Sequence, residues 1–197
     1  QKKPTKPPSF SGSIEASESC STYICRLVKN VQVAPSPDWL SEKLRLVGIS
    51  SINNVVDIST YVMLTIGQPL HFYDADLLDG SSIRVTCLKT SQTFTCLNDE
   101  TRQISEGTLV IEDEKKTLAV AGVIGGKSSS VNETTKNVLI ESAQFNESTV
   151  RKMMKQLQLK TDAALRFEKG IDPSVTNYAL NLAAELLEQV AGGLAEE

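Results

Sequence analysis

The sequence is short of the residue types on which most hydrolases and nucleotide-binding proteins rely. It has one histidine, His71, so any imidazole role in acid, base or water-orienting chemistry falls to that position. Its four cysteines, Cys20, Cys25, Cys87 and Cys96, form no CxxC pair and lie far from His71 in sequence. No zinc motif results, and reduced structural thiols with no metal ligands are expected. No Gly-x-Ser-x-Gly elbow is present, which argues against an acyl-enzyme, and no Gly-Lys-Ser/Thr follows the Gly125-Gly126 pair as a phosphate loop requires. No apolar run approaches the roughly 20 residues that span a bilayer, and the start lacks the basic-then-apolar pattern of a secretory leader. A cytoplasmic location without a membrane partner is therefore expected, and the sequon-like triplets at Asn132 and Asn146 read as chance. There is no excess of positive charge either: the formal net charge of −4 argues against a broad nucleic-acid surface, although not against contact with a short RNA end.

What is present suffices for a folded core, at 197 residues with 40% hydrophobic side chains. Residues 1–20, rich in Lys, Pro, Ser and Gly, read as a flexible linker from a preceding domain, 21–191 as the folded domain and 192–197 as the start of a following linker. Strands are expected at Tyr23–Val28, Val31–Val33, Ile83–Val85, Thr93–Thr95, Thr108–Ile111, Leu118–Val120 and Val138–Ile140, the last ending at Glu141. Ser36-Pro37 offers an N-cap and first-turn proline for a helix carrying Leu40, Leu44 and Val47. Val55, Ile58, Val62 and Ile66 predict a second helix, which places His71 after a helix stop and a tight turn. Val150, Met153, Met154 and Leu157 predict a third, capped by Asn146. The last helix starts at Asp172-Pro173 with Val175, Ala179, Leu182, Leu186 and Val190 on one face. The irregular order of elements, with no internal repeat, indicates α+β rather than a doubly wound fold.

Several separated motifs occur in one order. They are Asn53-Asn54-Val55-Val56-Asp57, Gly67-Gln68-Pro69-Leu70-His71, Ala121-Gly122-Val123-Ile124-Gly125-Gly126, Glu141-Ser142-Ala143-Gln144-Phe145, Thr161-Asp162-Ala163 and Arg166 through Pro173. Together they resemble the B3/B4 editing domain of the beta subunit of bacterial phenylalanyl-tRNA synthetase, over about Tyr23 to Val190. The resemblance implies layered mixed β-sheets with packed helices. It also implies hydrolysis of tyrosine mischarged onto tRNA(Phe), whose 3′ end would visit the domain, and an alpha subunit as partner in an α2β2 ligase. No cofactor is implied in this chain, with ATP and Mg used elsewhere in the complete enzyme. The sequence departs from many relatives in having Ser50-Ser51 where Arg-Pro is usual and Phe72-Tyr73 where Ala-Phe is usual.

An apolar pocket rejects an isostere bearing one extra hydroxyl only about a hundredfold, so a phenylalanine-specific enzyme needs a second site that binds the phenol. By resemblance Glu141 reads that hydroxyl; an isolated glutamate would otherwise be an ordinary surface carboxylate. Gly125 and Gly126 would let a backbone amide approach the same group, or form a simple turn. His71 and Thr161 would help place water and the terminal ribose, Ala163 would leave room for substrate, and Asn53 either caps a helix or reaches the site. Arg166 and Glu168, near Asp172, are expected in a structural ion-pair network. Two other readings stay open: a non-catalytic spacer or RNA-end-binding module, and a free-standing protein acting in trans.

Overall fold

Strand-forming and helix-forming stretches are resolved by a computed structural model, which describes residues 9–196, into two stacked sheets with helices on the outer face of one and beside the other. The chain opens with β1 (Ser11–Ile14) and β2 (Cys20–Lys29). β1 falls within the span expected to be a linker; it is ordered because Phe10, Ile14 and Ala16 find apolar cover against the main core. Residues 1–8 of that expected linker lie outside the described residues.

Helix α1 (Asp38–Leu46) buries Leu40 and Leu44 as its spacing predicts, but Ser36 does not cap it. Pro37 holds the N-cap position, and the Ser36 hydroxyl donates instead to Asp57 Oδ2 at 2.6 Å. Helix α2 (Asn54–Ile66) buries Val55, Ile58 and Val62, and the Ser51 hydroxyl and Ile52 amide also donate to Asp57. Val31–Val33 is no strand. The Asn54 side chain takes up the Gln32 carbonyl and the Ala34 amide, so a side chain satisfies backbone groups that a ladder would have used.

The remaining strands are β3 (Leu70–Asp74), β4 (Ser82–Cys87), β5 (Gln92–Thr95), β6 (Thr101–Ile104), β7 (Leu109–Glu112), β8 (Thr117–Val120), β9 (Ile124–Gly125) and β10 (Val138–Phe145). Helices α3 (Glu147–Leu157), α4 (Asp162–Phe167) and α5 (Thr176–Ala191) follow, and β11 (Leu194–Ala195) adds an edge strand where a linker was expected. One sheet runs β1-β4-β7-β8-β9 and the other β11-β2-β10-β3, with β5-β6 as a separate hairpin. Only β1 and β4 pair in parallel among these strands. Helices α2 and α5 cover the outer face of the four-stranded sheet, while its inner face packs against the five-stranded sheet and against α3 and α4.

β10 is the central strand, and all eight of its residues are buried. It does not end at Glu141, because the polar residues beyond that point are satisfied rather than solvated. On the helix side, Ser142 Oγ donates to the Thr176 carbonyl at 2.9 Å and Gln144 Nε2 donates to Thr176 Oγ1 and Gln68 Oε1 at 2.8 and 3.0 Å. Gln68 Nε2 in turn donates to the Ala143 carbonyl. The two glutamines of the Gly-Gln-Pro-Leu-His and Glu-Ser-Ala-Gln-Phe motifs thus lock β3, β10 and the start of α5 together.

The last helix begins with a 3-10 turn at Pro173–Val175, and its buried face is not the expected one. Ala179, Leu180, Ala183, Ala184, Leu187 and Ala191 are buried, whereas Leu182, Leu186 and Val190 are only partly covered. Alanines bring the helix backbone close to β2 and β10, and larger residues flank the contact. Both described ends meet at one edge: the Ser9 amide and hydroxyl donate to the Glu196 carboxylate at 3.0 and 2.5 Å, and Lys29 pairs with it at 2.6 Å.

Replacing Gln144 with Leu removes the shared donor and leaves the buried oxygens of Gln68 and Thr176 only their mutual 3.4 Å contact. A loss of about 1–3 kcal/mol is expected, read as a lower urea midpoint with an unchanged slope.

Candidate active site

The period-two geometry of β10 turns Leu139, Glu141, Ala143 and Phe145 toward the space between the sheets. Antiparallel register sets Cys25 of β2 and His71 of β3 on either side of Glu141, with Tyr23 opposite Ala143 and Tyr73 opposite Leu139. His71 therefore stands on a strand, after the helix stop at Gly67 that the sequence predicts. The two tyrosines reach diagonally inward, and both hydroxyls donate to the same carboxylate oxygen, Oε2 of Glu141, at 3.0 Å from Tyr23 and 2.5 Å from Tyr73. Oε1 has no hydrogen-bond partner among the described residues.

Burial governs the electrostatics. It pushes the Glu141 carboxyl up to about 7, and the two phenol donors pull it part of the way back. Burial, with the neighbouring carboxylate, holds both phenols well above the ordinary 10, so they remain donors. Burial also pushes the Cys20 and Cys25 thiols up to about 12 and about 11, with Glu141 adding to both, so neither is a thiolate near neutral pH. The His71 imidazole is lowered to about 4 by desolvation and is neutral at physiological pH.

Of these groups, Glu141 and His71 border a cavity of about 200 Å³ between the sheets. For comparison, an apolar cavity of ~150 Å³ takes up benzene, so the space suits one aromatic ring. Its walls are mostly apolar, with Leu97, Ile124, Val120, Phe145 and Phe167 around the polar end formed by Glu141 and His71. The His71 ring lies edge-on to Tyr73 at 4.4 Å between centroids, and its Nε2 is sealed from solvent without a hydrogen-bond partner. A buried polar atom left unpaired costs stability; Arg102 Nε and Ser129 Oγ share that condition away from the cavity.

The cavity collects five of the seven expected site residues: His71, Gly125, Glu141, Thr161 and Ala163. Gly125 is there for steric reasons, since a Cβ would stand 2.3 Å from His71 Cε1 and 2.8 Å from Nε2. Alternation in the β8-β9 pairing turns its N–H away from β8. Gly126 is not on the cavity wall. Its amide is committed to the Leu118 carbonyl at 2.7 Å, and a Cβ there would meet that carbonyl and the Phe94 ring, so it serves packing rather than ligand contact. Asn53 does not reach the cavity either: its side chain caps α2, accepting from the Val55 and Val56 amides at 3.1 and 2.9 Å.

Thr161 lines the cavity, but its hydroxyl already donates to the Val123 carbonyl at 2.7 Å and caps α4 by accepting from the Ala164 amide. Its proton is not free to orient water, and its main effect is to fix α4 against the 121–126 turn. Arg166 and Glu168 do not form one network near Asp172. Arg166 approaches Asp162 at 3.4 Å, Glu168 lies 3.8 Å from Arg151, and Asp172 caps the Ser174 amide.

Tyr23, Tyr73 and Leu97 were not anticipated as site residues. The alternation Tyr23, Cys25, Leu27 in a β-rich run marked which side chains of β2 share a face, but only register across β10 reveals that they meet Glu141. Leu97 arrives from the turn after β5, where its backbone N–H donates a hydrogen bond to the Gly125 carbonyl at 3.0 Å, a pairing with no local sequence signal.

The family described as the B3/4 domain matches residues 19–192. The chain is 47% identical over 184 residues to a phenylalanine–tRNA ligase beta subunit of Protochlamydia amoebophila, covering 93% of this chain and 23% of that protein. The same-named protein of Bacillus cereus is 46% identical over 188 residues, with 95% and 23% covered. The chain thus spans about a quarter of the length of these relatives. An N-terminal fragment of the phenylalanyl-tRNA synthetase beta subunit from Pyrococcus horikoshii shares the fold, with a TM-score of 0.62 over 98% of this chain and 52% of that one, at 14% identity.

Two outcomes are expected from this geometry. Because the folded-state pKa of Glu141 is raised, the unfolded chain releases the proton at lower pH, and the carboxyl costs stability progressively as pH rises from about 4.5 through about 7. Glu141→Gln, which cannot ionise, should gain melting temperature relative to wild type between pH 5 and pH 8; a constant difference would contradict a buried titrating carboxyl. Gly125→Ala should displace the His71 ring, seen as a shifted imidazole proton resonance and a stability loss of about 1–3 kcal/mol.

Proposed function

The chain belongs to the B3/4 domain family, and on that premise we propose that it is the editing module of a phenylalanine–tRNA ligase beta subunit, hydrolysing tyrosine mischarged onto tRNA(Phe). The observation that carries this reading is the cavity itself: room for one ring, apolar walls, and at one end a buried carboxyl whose Oε2 is engaged by two tyrosines while Oε1 has no partner.

A tyrosyl ring in that space would bring a third phenol to Glu141. Ionised, Oε1 accepts the hydroxyl proton; protonated, the carboxyl donates to the phenol oxygen. With a carboxyl that titrates near 7, both forms are within reach at physiological pH. A phenylalanyl ring offers neither bond and leaves Oε1 desolvated and unpaired, which costs about 1–3 kcal/mol, or roughly ten- to a hundredfold in discrimination from this one contact.

In the hydrolysis, water adds to the acyl carbon and the bond to the ribose oxygen breaks. The departing oxygen takes up a proton, and tyrosine and intact tRNA leave. An aminoacyl ester is already activated, so placement counts for more than strong base catalysis. His71, with a pKa near 4, is a weak base, and its part is to bound the site and orient water or the ribose. Thr161 contributes through α4, which carries Ala163 and Phe167 on the cavity wall. In this reading an alpha subunit completes the ligase, and amino-acid activation with ATP and Mg²⁺ takes place outside this domain.

The test is deacylation of tyrosyl- and phenylalanyl-tRNA(Phe). The tyrosyl ester should be cleared and the phenylalanyl ester spared, and Glu141→Ala should lose about ten- to a hundredfold of that preference. If neither ester is hydrolysed above background, the domain is a spacer or an RNA-end-binding module.

A further inference from the structure

A second concave surface lies on the other side of α4 from the cavity. It is a groove of about 580 Å³ between α3 and α4, bordered by Arg151, Lys155, Gln158, Lys160 and Glu168. Its charge is out of keeping with the rest of the chain. Residues 151–169 hold six cationic side chains, Arg151, Lys152, Lys155, Lys160, Arg166 and Lys169, against two anionic ones, in a protein whose formal charge is −4.

The fold does not consume this charge. Arg151 is tied to Glu168, through the carbonyl at 2.9 Å, and Arg166 to Asp162. Lys152, Lys155, Lys160 and Lys169 are exposed and make no ion pair among the described residues. Helix α3 turns its apolar residues Val150, Met153, Met154 and Leu157 inward, so its outer face is left to Arg151, Lys152 and Lys155.

Position joins the groove to the cavity. Thr161, Ala163 and Phe167 of the α4 segment line the cavity, whereas Lys160, Leu165 and Glu168 line the groove. Helix α4 is six residues long, and a helix with its side chains is about 10–12 Å across. A polyanion whose end enters the cavity would cross one short wall before meeting Lys155 and Lys160 in the groove, with Arg151 beside them. Evenly spaced phosphates on a flexible single strand fit mobile lysine side chains, which recognise them as point charges without reading bases.

We infer that the α3–α4 face is a backbone track for the RNA strand that precedes the acylated 3′ nucleotide, holding its phosphates while the aminoacyl group occupies the cavity. The inference rests on the editing reading for the identity of the strand and adds where that strand runs.

The experiment uses the 197-residue chain and a tRNA acceptor minihelix with a single-stranded 3′ tail. Each phosphate contact on a single strand contributes about 0.7 to the slope of log K against log salt. Lys155→Gln with Lys160→Gln should therefore reduce the slope by about 1.4. At about 0.15 M salt the same variant should lower kcat/KM for the tyrosylated minihelix about tenfold through KM, leaving kcat and hydrolysis of tyrosine methyl ester unchanged. Lys43→Gln with Arg45→Gln, on α1, should change none of these.

An unchanged slope in the α3–α4 variant overturns the track, as does an equal fall in the α1 control or an absence of salt-dependent RNA binding by the wild type. If the wild type binds with the expected slope, and the variant lowers it, but no tyrosyl ester is hydrolysed, the track stands and the editing reading falls.

Discussion

The rest of the structure is arranged around a carboxyl group on a strand that has no solvent face. β10 is covered by helices on one side and a second sheet on the other, so Glu141 is almost wholly withdrawn from solvent and borders open space at the cavity. Two phenols answer one of its oxygens, from the strands on either side of it. The same dry surroundings keep His71 neutral and its Nε2 unpaired, and the 121–126 turn closes against that ring only because residue 125 lacks a side chain. Apolar walls and a single buried polar end thus come from one condition, the burial of β10 on both faces.

That condition explains what the sequence revealed and what it hid. Helices α2 and α3 were legible because their apolar residues recur at helical spacing and their caps, Asn53 and Asn146, are ordinary N-cap residues. Strand β10 was legible only as far as its aliphatic run. Beyond Ile140 each polar residue looked like a strand end, and only tertiary partners, Gln68 in the α2–β3 connection and Thr176 at the start of α5, make Ser142 and Gln144 interior residues. The buried face of α5 was misjudged for a related reason: large aliphatic residues suggested one stripe, but close approach to the sheet favours alanine.

The candidate site was legible as a set of motifs and not as a geometry. Five of its residues came from separated segments that converge on one cavity. Asn53 and Gly126 belonged to the same motifs and yet serve the scaffold, because a residue beside a site and a residue in it carry the same sequence signal. Tyr23 and Tyr73 show the converse. Tyr73 lies diagonal to Glu141 across the β3–β10 pair, and its hydroxyl goes to that carboxylate.

The meeting of Ser9 with Glu196 fastens the two sheets at their rims. Ser9 leads into β1, the outermost strand of one sheet, and Glu196 follows β11, the outermost strand of the other. Lys29 of β2 holds the same carboxylate, so a single side chain clasps both layers. Sliding one layer over the other would have to open that clasp as well as the apolar contact between their faces.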